Sequence, residues 1–329
     1  LMEQLTPLEL GSSTGAMMNN VGKVKNTGVE ISLSTVNVQT KNFYWSTTFS
    51  FAKNKNEILE LNGGKEDLIA NKWFIGQPID VIYDYEYAGV CTAEEAKAYA
   101  TNDAIKTKFI EGEMKLKDQQ QPGEEGYGVI DENDLVVLGH ALPKWTGSVT
   151  SNMTYKNFDF SFSIYTKQGS MVESPFMAEF TNYKDRGRNK LKMDYYIPAG
   201  TPVLNADGSG YTLTTEAHMG AYPYPTNTAN NNYGGGIGWG TDKQTTYVGN
   251  SYVNNSFVKI KNITLGYTFP KSWMSKIGVD HLRLYVNVLN PFTFTSYKGF
   301  DPEWAEAALN DGTGGPSSRT YQVGVNLKF

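Results

Sequence analysis

Alternation with a period of two constrains this chain more than any other feature. In the final segment Tyr321, Val323, Val325, Leu327 and Phe329 share one face, while Thr320, Gln322, Gly324, Asn326 and Lys328 share the other. Successive side chains of a strand point to opposite faces, so the segment reads as a strand with one apolar and one polar side. The pattern recurs six times. At 282–289 Leu282, Leu284, Val286 and Val288 oppose Arg283, Tyr285 and Asn287. At 262–269 Ile263, Leu265, Tyr267 and Phe269 oppose Asn262, Thr264, Gly266 and Thr268. Phe158, Phe160, Phe162 and Ile164 alternate in the same way, as do Phe43, Trp45, Thr47, Phe49 and Phe51, then Val29, Ile31 and Leu33. Val149, Ser151, Met153 and Tyr155 give a weaker version. None of these apolar faces carries a charge. A Lys or Arg facing lipid at the bilayer midplane costs about 2–4 kcal/mol. The inner faces of a soluble sandwich exclude charge as well. Alternation alone therefore leaves a membrane barrel and a soluble sandwich both open.

The connections separate these two readings. Three are short: Gln39–Asn42, Lys156–Asn157 and Pro270–His281. They alternate with three long ones, 56–145, 169–255 and 292–318. Long loops on one rim and short turns on the other is the layout of an outer-membrane barrel. Long structureless loops argue against a compact soluble domain. The first strand, near 24–38, and the last, 319–329, run in the same direction. A closed single-chain bacterial barrel has an even number of strands, at least about 8. The expectation is an all-β chain, a transmembrane antiparallel β-barrel portion of a larger barrel. On that reading the whole chain, 1–329, is barrel, and 56–145, 169–255 and 292–318 are extracellular loops. The segment Pro78–Val90 belongs to the first loop, and Thr92 with Glu95 marks a capping box at the start of a helix.

Composition narrows the function. Aromatics make up 13% with 21 tyrosines, and charged residues only 19%, which suits twisted strands with aromatic belts. The formal net charge of -5 leaves no basic footprint for nucleic acid. No apolar run approaches the 18 or so residues of a membrane helix, which leaves barrel strands of about 9–11 residues untouched. Cys91 is alone, so neither an intrachain disulfide nor a cysteine metal cluster is available. His140, His218 and His281 are dispersed, with no triad or metal spacing. The glycine run 234–240 lacks the Lys-Ser/Thr of a phosphate loop. Leu1-Met2-Glu3 shows no signal-peptide pattern, and the expectation is a sequence that starts mid-protein.

Several motifs resemble the C-terminal region of the SusC/RagA family of TonB-dependent transporters. They are Asn26-Thr27-Gly28-Val29-Glu30-Ile31; Gly128 to Asp134 with Gly139, Pro143 and Thr146-Gly147, running into Tyr155-Lys156-Asn157-Phe158-Asp159; and the block from Ser256 to Pro270. The last continues through Leu282 to Val286, then Asn290, Phe292, Thr293, Thr295, Tyr297, Gly299 and Asp301-Pro302-Glu303, to the terminal aromatic Phe329. The resemblance implies TonB-dependent import of oligosaccharides or other oligomeric nutrients across the bacterial outer membrane, with no enzymatic activity and no cofactor. It also implies that the chain holds the C-terminal strands of a barrel of about 22 strands, with the plug and earlier strands absent from this sequence, and it implies a SusD-like surface lipoprotein as lid and TonB acting through the plug. A peptide importer of the RagA type and a soluble glycan-binding β-protein are the alternatives. A siderophore or cobalamin receptor is a rival against which the third motif block argues.

Tyr222, Tyr224, Tyr233, Trp239, Tyr247 and Trp304 are the candidate substrate-binding residues, because aromatic faces stack on sugars. Loop packing is their ordinary alternative. Asp131, Asn133 and Asp134 form an acidic segment. In the family an EF-hand-like sequence often precedes it, which would suit calcium. Here Asp118 is followed by Gln119-Gln120-Gln121-Pro122, and Tyr127 replaces an acidic residue, so the ligand set is damaged and no metal is expected. Asp301 with Glu303 could mimic a glycosidase pair, whose carboxyl separation sequence does not give. The motif they stand in implies no catalysis.

Overall fold

The computed structural model describes residues 2–5, 16–19, 22–101, 109, 111–112, 114–174, 176, 193–223, 252–305 and 317–329. Seven strands form one sheet: β1 (Lys23–Gln39), β2 (Phe43–Glu60), β3 (Trp145–Tyr155), β4 (Phe158–Gln168), β5 (Phe257–Thr268), β6 (His281–Thr295) and β7 (Thr320–Lys328). Each pairs antiparallel with the next in chain order, so the sheet is a plain meander. These are the seven strands expected from alternation, and several run longer than the alternating core alone.

Register turns alternation into two chemically distinct surfaces. On one face Trp45, Met153, Phe160, Leu265, Val286 and Val323 lie side by side across β2 to β7. The adjacent row on the opposite face reads Ser46, Asn152, Ser161, Thr264, Asn287 and Gln322. Part of that polar row is tied together: Thr264 Oγ1 donates to Asn287 Oδ1 at 3.0 Å, and Asn287 Nδ2 donates to Gln322 Oε1 at 2.9 Å. The apolar row is open to the surroundings; Leu265 is 52% exposed and Val323 81%. An apolar surface of this extent, presented outward, is what hydrocarbon solvates and water does not.

The β1–β2 ribbon extends beyond the apolar band. Its far end carries the Lys23–Glu60 and Lys55–Glu57 ion pairs and an Asn56 to Asn26 hydrogen bond. Charged pairs of this kind belong in water.

Two glycines make room on the polar face. Asp159 of β4 and Arg283 of β6 form a bidentate ion pair across β5, with Arg283 Nε 2.9 Å from Asp159 Oδ1. The residue between them is Gly266, where a Cβ would lie 2.4 Å from Asp159 Oδ1. The Tyr285 ring covers Gly324 so closely that a Cβ there would lie 2.2 Å from Cζ.

The turns at one rim are tight. Thr40–Asn42 joins β1 to β2, and Lys156-Asn157 joins β3 to β4 with Lys156 at φ 52°. Asn157 Nδ2 donates to Thr268 O at 2.7 Å, which ties this turn to the next strand pair. Between β5 and β6 the chain makes a short helix α1 (Lys271–Met274) and a 3-10 turn (Ser275–Ile277).

The long connections at the other rim carry structure of their own. Within the first, Val81–Tyr85 pairs with Leu135–His140, and Tyr87–Val90 pairs with Met114–Leu116. The segment Pro78–Val90 thus contributes no strand to the main sheet. The expected helix forms over Ala93–Thr101, and Thr92 and Glu95 make the reciprocal capping bonds at 3.1 and 3.0 Å. Among the described residues no helix is long and apolar enough to cross a membrane, which has no bearing on strands.

Leu265→Arg, on the exposed apolar row, is expected to cost about 2–4 kcal/mol of barrel stability in lipid. Ser161→Arg, in the polar row, is expected to cost less than half as much. Urea unfolding of the full-length protein in vesicles measures both.

Candidate functional site

The upper part of the polar face, next to the long connections, concentrates the chemistry. Register places Ser32, Ser50, Ser148, Tyr165, Lys259 and Thr293 in one row across β1 to β6. The small side chains of its first half leave a hollow of about 540 Å³, lined also by Glu30, Ala52 and Thr146. Serine and alanine create this space because they fill so little of the volume above the sheet. Hydroxyls and one carboxylate make its polar lining, beside Ile31, Phe51 and Gly147.

The second half of the row is an ion cluster. Lys259 is 1% exposed, and its Nζ lies 2.7 Å from Asp301 Oδ2 and within hydrogen-bond reach of Glu303. Lys261 Nζ also reaches Glu303 and lies 5.5 Å from the centre of the Tyr165 ring. Two lysines separated by one residue lie on the same side of a strand, and both reach Glu303; between them the pairing register shifts, from Ile260 to Asn262. This irregularity puts Lys261 opposite no residue of β6 and leaves it free to lean toward the same carboxylate.

Asp301 has two roles. Its Oδ1 accepts from Glu303 N at 2.9 Å, which caps the 3-10 turn Pro302–Trp304, and its Oδ2 holds Lys259. Beneath them Asn255 accepts from Ser170 Oγ at 2.7 Å and donates to Pro302 O at 3.2 Å. The beginning of the third connection is thereby locked onto the top of β5. Burial pushes the Asp301 and Glu303 carboxyls up, but the hydrogen bonds from the lysine ammonium groups outweigh it and hold both below the ordinary carboxylate range. Both carboxylates are engaged by cations, so neither is a proton donor waiting for a glycosidic oxygen.

The long connections meet around a second cluster. Val172, Phe176, Tyr297 and Ala305 are buried together, with Met193, Tyr222 and Val253 packed against them. Tyr222 meets Tyr195 edge-to-face at 6.1 Å, and Tyr87 Oη donates to Ala221 O at 2.9 Å. Burial pushes the Tyr87 and Tyr195 hydroxyls up to about 12. Tyr196 Oη donates to Glu111 Oε1 at 2.9 Å, and Ser174 Oγ and Tyr297 Oη are 2.9 Å apart. First, second and third connections are joined by these contacts.

The structure divides the candidate residues. Tyr222 packs inside this loop cluster. Trp304 is 52% exposed at the tip of the 3-10 turn, beside Glu303. Tyr224, Tyr233, Trp239 and Tyr247 lie outside the described residues. Asp131, Asn133 and Asp134 form a capping box around a 3-10 turn, with Asp131 accepting from Asn133 N at 2.8 Å and Asp134 from Asp131 N at 2.8 Å. The second Asp134 oxygen accepts from Gln119 N at 2.7 Å, and Asp118 accepts from Gln120 N and Gly128 N. Backbone N–H groups thus engage both oxygens of Asp118 and Asp134 and one of Asp131, and the acidic side chains shape this turn. The serine hollow and the Lys259 cluster are what motif reading missed. A usable signal was the pair Lys259 and Lys261, two charges on a strand otherwise poor in them.

No family model matches the chain. The geometry nonetheless defines a class, an outer-membrane β-barrel wall with a polar inner face and a mouth built from long connections. Within that class the chain is SusC/RagA-like. It is 29% identical over 352 aligned positions to TonB-dependent receptor P3 of Formosa agariphila, covering 98% of this chain and 30% of that protein. It is 27% identical to TonB-dependent receptor SusC of Bacteroides thetaiotaomicron, covering 98% of this chain and 28% of that one. Among solved structures, the RagAB peptide importer in its open-open state matches with a TM-score of 0.62 at 22% identity, over 100% of this chain and 31% of that chain. The chain thus spans about 30% of the length of the relatives it matches. These relatives are outer-membrane receptors rather than enzymes, and the chain is assigned to the outer membrane with them.

Lys259→Met would strand Asp301 without its cation. Removing one partner of a buried pair costs about 3–5 kcal/mol, and the 296–305 segment is expected to become the first protease-sensitive site of the folded protein. The two carboxylates also set a pH dependence. Their folded pKa values are depressed, so their contribution is complete above the ordinary carboxylate values and is lost as pH falls through the lowered ones. Limited proteolysis is expected to show this segment held at neutral pH and released only as pH falls below the ordinary carboxylate range.

Proposed function

We propose that this chain forms wall and mouth of a TonB-dependent importer that takes up oligosaccharides or other oligomeric nutrients together with a SusD-like surface lipoprotein. On this reading the short turns face the periplasm, the connections near 56–145, 169–255 and 292–318 face the exterior, and TonB acts through a plug elsewhere in the whole protein. The observation that carries it is the pairing of a polar inner wall with a rim where the three long connections interlock. A barrel whose inner wall is hydroxyl-rich offers a hydrated path, and a structured mouth offers a surface for a lid.

Two features support oligomeric cargo. The serine hollow sits directly below the mouth, where hydroxyls can exchange hydrogen bonds with sugar or peptide groups without trapping them. Trp304 is an exposed indole held on a capped turn next to the Lys259 cluster. Tyr222, half-buried against the loop cluster, and Tyr224, Tyr233, Trp239 and Tyr247 are further proposed contacts at the mouth. A peptide importer of the RagA type is the second reading. It is favoured by the structural match to RagAB, described as a peptide importer.

The test is uptake by cells expressing the full-length protein, with the gene deleted as reference. Deletion is expected to abolish uptake of a labelled oligosaccharide, and Trp304→Ala to reduce affinity with little effect on the amount of protein in the membrane. Uptake of labelled peptides in place of sugars would establish the second reading. Affinity purification of the complex from native outer membranes is expected to bring down a surface lipoprotein, and its absence would remove the lid from the account.

A further inference from the structure

We propose that the short-turn rim is a binding surface for anionic glycerophospholipid headgroups of the inner, periplasmic leaflet. This rests on the barrel orientation proposed above. The first observation is charge placement. The three turns 40–42, 156–157 and 269–280 carry Lys41, Lys156, Lys271 and Lys276 against Asp280 alone, and all five are exposed. The opposite rim has the reverse balance: residues 61–144 contain 16 Asp and Glu against 8 Lys. The chain as a whole is acidic at -5, so a basic rim is a local departure.

The second observation is continuity with the apolar face. The outward face ends at this rim in an aromatic belt. Phe43 meets Tyr155 at 6.5 Å, Phe158 meets Tyr267 at 4.7 Å, and Tyr267 meets Phe269 at 5.1 Å. Lys156 Nζ stands 5.5 Å from the centre of the Tyr155 ring. Beyond Phe269 the chain enters α1, whose Met274 is buried with Val279 while Trp273 and Ile277 are 56% and 68% exposed. An exposed indole and isoleucine flanked by Lys271 and Lys276 are costly in water and well placed at a headgroup boundary, where apolar side chains dip into acyl chains and ammonium groups stay at phosphate level. Basic residues near a membrane surface add attraction for anionic lipid that salt screens. A neutral zwitterionic surface would use the aromatic belt but give the lysines no preference. The four lysines select the anionic headgroup.

The full-length protein, reconstituted in nanodiscs with equal parts phosphatidylglycerol and phosphatidylcholine, tests this. The lipids retained through mild detergent washing are counted by mass spectrometry. Wild type is expected to retain phosphatidylglycerol severalfold over phosphatidylcholine. The K41Q/K156Q/K271Q/K276Q variant should bring the ratio to near one, whereas K65Q/K72Q/K97Q/K144Q, which removes four exposed long-connection lysines, should leave it unchanged. A wild-type ratio near one, or equal loss in both variants, overturns the proposal. Heat-modifiable migration on gels reports separately whether a barrel has formed, so failure of the barrel reading is not confused with failure of the lipid site. If the turn variant does not form a barrel, brominated phosphatidylglycerol decides. It should quench wild type more than W273F, and more than brominated phosphatidylcholine does; equal quenching overturns the proposal.

Discussion

A peptide group inside hydrocarbon has no water to bond, and each one left unpaired costs several kcal/mol. Most of the architecture follows from that constraint. The sheet is a meander because consecutive antiparallel strands satisfy one another with the shortest connections. The turns at one rim are as short as Lys156-Asn157, and Asn157 caps a neighbouring strand so that even the turn's amide is used. The long connections are gathered at the opposite rim, where solvent or the rest of the loop body supplies partners. Once the backbone is satisfied, side chains are free to divide into an oily face and a wet one, and register does the dividing.

The wet face then needs something to hold its upper end in shape, and this is the part played by Lys259. A buried ammonium is tolerable only when surrounded by acceptors. Asp301 and Glu303 supply them, and Asp301 can do so because the same side chain also caps the turn that positions it. The arrangement couples one strand, one turn and the start of a long connection through a single charge. Asn255 and Ser170 extend the coupling to the second connection.

The strands were legible in the sequence because period-two alternation sustained along a segment such as Tyr321 to Phe329 fits an extended chain with two unlike faces and does not fit the 3.6-residue turn of a helix. The capping box at Thr92 was legible because its two bonds are local. What alternation could not reveal is contact across distance. Asp301-Pro302-Glu303 reads as a loop motif, and nothing in those three residues says that Lys259, more than forty positions earlier, is their partner. The hollow was invisible for a related reason: Ser32, Ser50 and Ser148 become neighbours only through register. Tyr222 shows the limit from the other side. Its type suggested a sugar platform, and the fold sets it half-buried against Tyr195 and the Val172 cluster, so packing takes part of its surface. Composition identifies an aromatic, and only the fold says whether its face is available.

The unequal strand lengths have a geometric consequence. β1 and β2 run for 17 and 18 residues, while β7 has 9. At about 3.3 Å per residue, the charged overhang stands well above its neighbours as a parapet on one side of the opening. The rim of this wall is therefore stepped, high at β1 and β2 and lower toward β7. The charged end of the β1–β2 ribbon is thus the part of this sheet that reaches farthest from the apolar band, and water rather than hydrocarbon surrounds it.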